Sequence, residues 1–588
     1  MDVLPTELCV RILNELPISE AGVCALIRCS LIGSSTLLAA SLEPALWKPH
    51  YKHRYVHSDH AKEAERCVIF KENWRQLYQE RRRIDHEALV ALKALEACSS
   101  EDRAEHARRV VIHGLDIWDV LSEEERRPLP TLFQTDEDVE KVKDGSPLTN
   151  LSRKYWASEL LKIIARSNAI DKWISLKESV RGEENGRVSF EEAYAALSSF
   201  HGILPGEIMA RIDGLSEFCK EYLDERGICY VPDKEEFNIK KLCNAVCSFM
   251  RSRSFSRAGQ MSFYDFRNSI PHLFLTTSTR SLPISLVFIF VGILKRFGLE
   301  VSPLNTPNCV TALVRDTLVN VTRMPWEQDA TLGVVEDYAE LKRVFGAPYQ
   351  ASLTAQLLDR VARNITIAGA VEFGKDLDEP NYTDRLGQDV FLWLQTKYLS
   401  EVLLAVFPGE PIEDRIKSII PAAHRRLFPL DMKLIIQDKL LPRCTFHLQA
   451  LVEKKDDTCA KEVAESAPIP DQLNDIFVGQ IVQGTQCVIG WKKVSSGIQF
   501  MLMDHKTLHV TETTSLTNLE PTTCTIEEIK SFLQQPLLGQ FFEDAEFQEA
   551  AVGSGSGRGR FIMNKHLMNL YPSDDVRGAH WVRGLGVQ

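Results

Sequence analysis

Apolar residues three and four positions apart recur along most of this chain, and two stretches depart from that spacing. Near the start, Leu8, Ile12, Leu13 and Leu16 fall at i, i+4, i+5 and i+8 behind Pro5. This predicts a helix with proline in its first turn. The groups Val23–Ser30 and Ser41–Trp47 continue the helical pattern to about Tyr55. So short and apolar a segment predicts a surface for a partner. From Asp59 to Leu223 the spacing stays helical but charges dominate. Trp74, Leu77 and Tyr78 share a face, and the run Arg81–Arg83 reads as the solvated side of that helix. Two further helices cover Tyr155–Leu176 and Ser189–Gly202, the second opened by Ser189 and Glu192 at capping-box spacing.

The first departure lies between Ile239 and Ala347. The continuous apolar run Leu282–Leu294 behind Pro283 predicts a buried helix. Three β-leaning runs follow, Leu299–Asn305, Cys309–Asp316 and Leu318–Met324, so a helix packed on a sheet is expected. Helical spacing returns in Ser352–Ile365, Asp389–Phe407 and Pro411–Phe428. A polar, proline-bearing linker then leads to the second departure. There Val478–Gln483, Cys487–Val494, Ile498–Asp504 and Thr507–Thr513 read as the short strands of a small barrel. The expected organisation is a multidomain α+β chain. Its segments are 1–55 (helical), 56–150 (helical linker region), 151–347 (α+β), 348–453 (helical), 454–473 (linker) and 474–588 (β-barrel).

Bulk properties narrow the classes. With 588 residues and 44% hydrophobic content the chain can bury several cores, and a net charge of -12 argues against polyanion binding by the whole molecule. The 14 cysteines form no C-x-x-C pair and read as reduced thiols. The run Leu282–Leu294 is shorter than the roughly 20 residues of a spanning helix. The N-terminus lacks a basic region and cleavage signal. A cytoplasmic and/or nuclear location without membrane contact is expected. Gly186 and Glu192 match positions six and twelve of an EF-hand loop, but Arg181 would occupy the position that needs an anionic ligand. No metal and no cofactor is expected.

Leu4-Pro5, then Leu8, Ile12, Leu13 and Leu16, then Cys24–Ser30, and Leu46-Trp47 together resemble an F-box. The resemblance implies docking of Leu4, Pro5, Leu8, Ile12, Leu13, Leu16, Leu46 and Trp47 on a Skp-type adaptor that is held by a cullin scaffold. Its physical basis would be an apolar helical face buried in a groove.

Phe263–Ser269, Arg280–Leu299 and Asn305–Pro307 resemble the transglutaminase-like module of F-box proteins. Active members of that family use Cys, His and Asp, with a base beside the thiol. Here the helix opens Leu282-Pro283-Ile284 without a thiol, Cys309 stands where the family has its histidine, and Asp316 is the nearby carboxylate. The resemblance therefore implies a degenerate module with no catalytic residues. A thiol chemistry built on Cys309, with His272 upstream, is the rival expectation.

Val478–Val482, Val488–Trp491, Met501–Asp504, Asn518–Pro521, Leu538–Asp544, Arg558–Asn564 and Leu570–Asp574 resemble a YccV-like domain, named after a bacterial protein described as binding hemimethylated DNA. The stretch between Trp491 and Ile498 is shorter than in that family. Candidate contacts to nucleic acid or a target are Lys492, Lys493, Arg558, Arg560 and Lys565. From Asp475 onward, however, 12 acidic residues face 9 basic ones, without the clustered stripe that duplex binding uses. The resulting expectation is a non-catalytic substrate receptor of an SCF-type ubiquitin ligase with an unknown target protein. The alternative is a DNA-binding, chromatin-associated protein acting through the YccV-like domain.

Overall fold

The computed structural model describes residues 4–98, 100–143, 145–179, 188–259, 262–276, 279–305, 309–315, 317–322, 334–337, 354–373, 388–407, 415–416, 419, 428–443, 476–482, 485–494, 497–505, 510–514, 519, 522–550 and 555–584. The linker 454–473, Asp316, Arg181 and Gly186 lie outside them, as does most of Pro411–Phe428.

The chain divides into two compact units, Met1–Ile164 with Asp456–Gln588, and Ala165–Lys455. The C-terminal strands share a unit with the N-terminal helices. The chain passes from one unit to the other within helix Leu151–Ser179.

The first unit begins with helices Thr6–Asn14, Glu20–Leu31, Ser35–Ser41 and Pro44–Arg54. Pro5 caps the first of them and Pro44 opens the last, where an absent N–H costs nothing. Their core does not close at Tyr55. Cys9, Leu13, Leu26, Leu46, Trp47 and Tyr51 pack with Leu77 and Tyr78 from the 24-residue helix Trp74–Ala97. Trp47 lies 5.6 Å from the Tyr78 ring, and its indole N–H donates to the Ser41 carbonyl at 2.9 Å. The Arg81–Arg83 run divides: Arg82 and Arg83 face solvent as expected, whereas Arg81 is fully buried. Arg81 Nη2 donates to the Asp116 carbonyl at 2.7 Å, and its guanidinium lies 4.4 Å over the Tyr55 ring.

The C-terminal residues of this unit form two antiparallel sheets. One has the order 510–513, 497–504, 486–494, 481–482, and the other 524–525, 556–563, 542–549. They meet at the bridge Gln480–Arg560, where Phe561 N–H donates to the Gly479 carbonyl at 2.8 Å. Gly479 has φ +92°, and a Cβ there would stand 2.2 Å from the Phe561 carbonyl oxygen. Only glycine fits this approach. Phe561 stacks 5.2 Å from Phe542 and 6.5 Å from Phe133 of the helical segment, which ties strands and helices into one unit.

The second unit is organised around helix Pro283–Arg296, whose residues Ile284 to Leu294 are all buried. This agrees with the buried helix read from the apolar run. One side meets helix Pro205–Asp224, and the other meets the antiparallel sheet 301–305, 310–314, 317–320, 334–337. The expected helix-on-sheet packing is present. The helices expected from the returning helical spacing are present as Thr354–Phe373 and Gln388–Val406, and they pack together. Among the described residues, no helix is long and apolar enough to cross a membrane.

Candidate functional site

An apolar surface forms on the first three helices. Helix Thr6–Asn14 is strongly amphipathic, and its two faces have different fates. Cys9 and Leu13 point into the core, whereas Leu4, Leu8 and Ile12, spaced four apart, stand along the outer face, Ile12 at 60% exposure. Helix Ser35–Ser41 packs against both helix Thr6–Asn14 and helix Glu20–Leu31. Ile18, Ile27, Leu31, Ile32 and Leu38 are exposed on and around these elements, Leu31 at 78%. Eight large apolar side chains within residues 4–38 are thus open to water. Single exposed apolar residues are ordinary, but so many on helices joined through helix Ser35–Ser41 make this surface the candidate site.

The expected adaptor-binding residues therefore divide by position. Leu4, Pro5, Leu8 and Ile12 are exposed, and Leu16 is half-buried against the core. Leu13, Leu46 and Trp47 are buried and support the surface from behind, so no partner can touch them without unfolding it. Ile18, Ile27, Leu31, Ile32 and Leu38 went unmarked at the sequence level. Their period matches that of the core positions, so pattern alone could not separate outer from inner.

A cavity of about 530 Å³ in the same unit includes His50, Arg54, Tyr78, Arg82, Asp85 and Glu123 in its lining. Burial pushes the Asp85 carboxyl up to about 6 against the pull of Arg54, 3.6 Å away. Burial, then the neighbouring His53, lowers His50 as well. The Nδ1 atom of His50 has no hydrogen-bond partner among the described residues.

Pro283 occupies the first turn of its helix, and the nearby Ser285 hydroxyl is spent on the Asn268 carbonyl at 2.6 Å and Tyr194 at 2.9 Å. Cys309 Sγ lies 3.4 Å from Thr322 Oγ1 and 3.4 Å from the Val310 carbonyl. His272 sits instead with His201, ring centres 4.9 Å apart, and its backbone N–H donates to Ser198 Oγ. Burial, then the Arg211 charge, lowers His272 to about 4. No hydrogen bond among the described residues joins His272 to Cys309.

The C-terminal cations come from both sheets and from the helix Lys565–Leu570. Lys492 pairs with Glu512 at 3.2 Å on one sheet, and Lys493 follows it on the same strand. Arg558 and Arg560 belong to the other sheet. Arg558 donates to the Trp581 carbonyl at 2.9 Å, with its guanidinium over that indole ring. Arg560 has only 4% of its side chain exposed and is spent on Glu546 at 3.0 Å and Asp575 at 2.9 Å. A phosphate cannot reach it, so Arg560 is a structural residue. Lys565 is exposed, within the field of Glu543.

Comparison with family models, curated proteins and solved structures finds no match to this chain.

Proposed function

We propose that this chain is the non-catalytic substrate-recognition subunit of an SCF-type cullin ubiquitin ligase, with its N-terminal helices acting as an F-box. The observation that carries the reading is the exposed stripe Leu4, Leu8, Ile12 continued by Ile27, Leu31 and Leu38 above a closed core. Burying such a stripe in a partner's groove supplies affinity without rearrangement of the chain. In this reading 151–347 is a transglutaminase-like scaffold that has lost its chemistry, and 474–588 is a YccV-like barrel. The receptor's contribution to ubiquitin transfer is proximity, which raises the effective concentration of target lysines near the loaded enzyme. The DNA-binding alternative is the weaker one, because Lys492 and Arg560 already hold carboxylates.

The test is co-purification with a Skp-type adaptor, comparing wild type with Leu8→Ala/Ile12→Ala. Both positions are exposed, so the variant should fold normally while losing the adaptor. Retention of full binding by the variant, or no binding by folded wild type, would sink the reading.

A further inference from the structure

One segment runs against the charge of the whole. Between Ile239 and Leu299 there are nine Lys or Arg and a single acid, Asp265, in a chain of net charge -12. The structure sorts these cations. Lys295 and Arg296 pair with Glu191, and Arg267 with Asp265. Among the described residues, no carboxylate pairs with Arg251, Arg253 or Arg257.

These three arginines follow from how one helix ends. Helix Ile239–Ser252 buries Leu242, Val246, Phe249 and Met250, which leaves its outer positions polar. Arg251 lies in the last turn, where a cation suits the carbonyl end of the helix. Arg253 caps it, and Ser254 at φ +68° turns the chain into the short strand Ser256–Arg257. That strand pairs in parallel with Arg280–Ser281, setting Ser256 beside Arg280. Arg253, Arg257, Arg280, Ser254 and Ser256 are all exposed. The Arg253 guanidinium lies 4.7 Å over Phe218, and that of Arg257 lies 6.0 Å over Phe263.

We infer that this arginine surface docks a short acidic segment of a partner protein, recognised through its oxyanions, whether clustered carboxylates or phosphoserines. Guanidiniums held against aromatic faces have lost much of their freedom before binding, and their paired N–H groups match carboxylate and phosphate oxygens. Exposed serine hydroxyls beside them supply neutral donors. A long nucleic acid fits less well, because the net negative charge of the rest of the chain opposes a polyanion that extends beyond the patch. The inference does not depend on the ligase reading, since binding is read with this chain alone.

The experiment is fluorescence anisotropy on the full chain with four probes: a glutamate-rich peptide, a phosphoserine peptide, a neutral serine peptide and a short DNA duplex. Either anionic peptide should bind wild type and weaken about tenfold or more in Arg253→Gln/Arg257→Gln, while the neutral peptide binds neither. Lys240→Gln/Lys241→Gln, at the other end of the same helix, should bind as wild type. Because Arg253 also stacks on Phe218, Arg257→Gln alone serves as the second variant, and circular dichroism confirms that each is folded. Preference for phosphoserine over glutamate names phosphorylation as the source of the charge. Equal affinity in wild type and both variants, or tighter binding of the duplex than of either peptide, would overturn the inference.

Discussion

Arg166 donates from Nη1 to Asp431 at 2.7 Å with both side chains fully buried and 265 positions between them in sequence. The guanidinium also donates to the Phe200 carbonyl and lies over the rings of Phe428 and Tyr398. This pair fastens helix Leu151–Ser179 to the π-helix Met432–Leu440, which starts one residue after Asp431.

Removing one partner strands a charge in the interior. Asp431→Ala should destabilise the second unit by about 3–5 kcal/mol, whereas replacing both partners by apolar residues should cost much less. Urea denaturation of the two variants would separate these outcomes; equal loss in both would mean the packing, not the charge, is what matters.

The N-terminal helices should respond oppositely to inner and outer truncations. Trp47→Ala removes a buried indole and should cost about 3–5 kcal/mol. Leu8→Ala should leave stability within about 0.5 kcal/mol, because the side chain is already in water. Thermal unfolding of the two variants reads both effects; an equal loss in Leu8→Ala and Trp47→Ala would mean that the outer position is packed as tightly as the inner one.

Acid should weaken both units through buried histidines. Burial lowers His272 in the second unit and His566 in the first to about 4, from an ordinary 6.5. The unfolded chain takes up these protons first, so stability is fully present above pH 6.5 and is lost as pH falls towards 4. Each histidine contributes at most about 3 kcal/mol to that slope. His272→Gln should flatten the pH dependence of the second unit; an unchanged profile would remove His272 as its source.

The joint between the two C-terminal sheets should be intolerant of any side chain. Gly479→Ala places a Cβ against the Phe561 carbonyl in a left-handed backbone conformation. The conformation alone costs about 1–3 kcal/mol and the clash adds to it. Faster hydrogen exchange at Phe561 N–H, which donates to Gly479, is the expected signature.

Nucleic acid binding by the C-terminal strands should be absent at physiological salt. Arg560→Ala should act on stability, by freeing Glu546 and Asp575, rather than on DNA retention. A salt-dependent mobility shift that vanishes with Lys492→Gln would restore the alternative function.

Local pattern by itself determined much of this protein. Proline at Pro5 and Pro283 marked helix starts, Ser189 and Glu192 form the capping box that their spacing predicts, and the run Leu282–Leu294 is a buried helix. These features depend on neighbours a few residues away, which a sequence displays directly. What only the tertiary structure decided depends on partners far along the chain. Leu8 and Leu13 look equivalent in sequence, but only one meets a core that closes around Tyr78. Arg81 and Arg560 read as surface cations until Asp116, Glu546 and Asp575 are brought against them. Arg253 and Arg257, part of a helix end and turn in sequence, stand exposed without a carboxylate partner among the described residues. The reason is physical: periodicity states which residues share a face, while burial and charge pairing are set by what folds over that face.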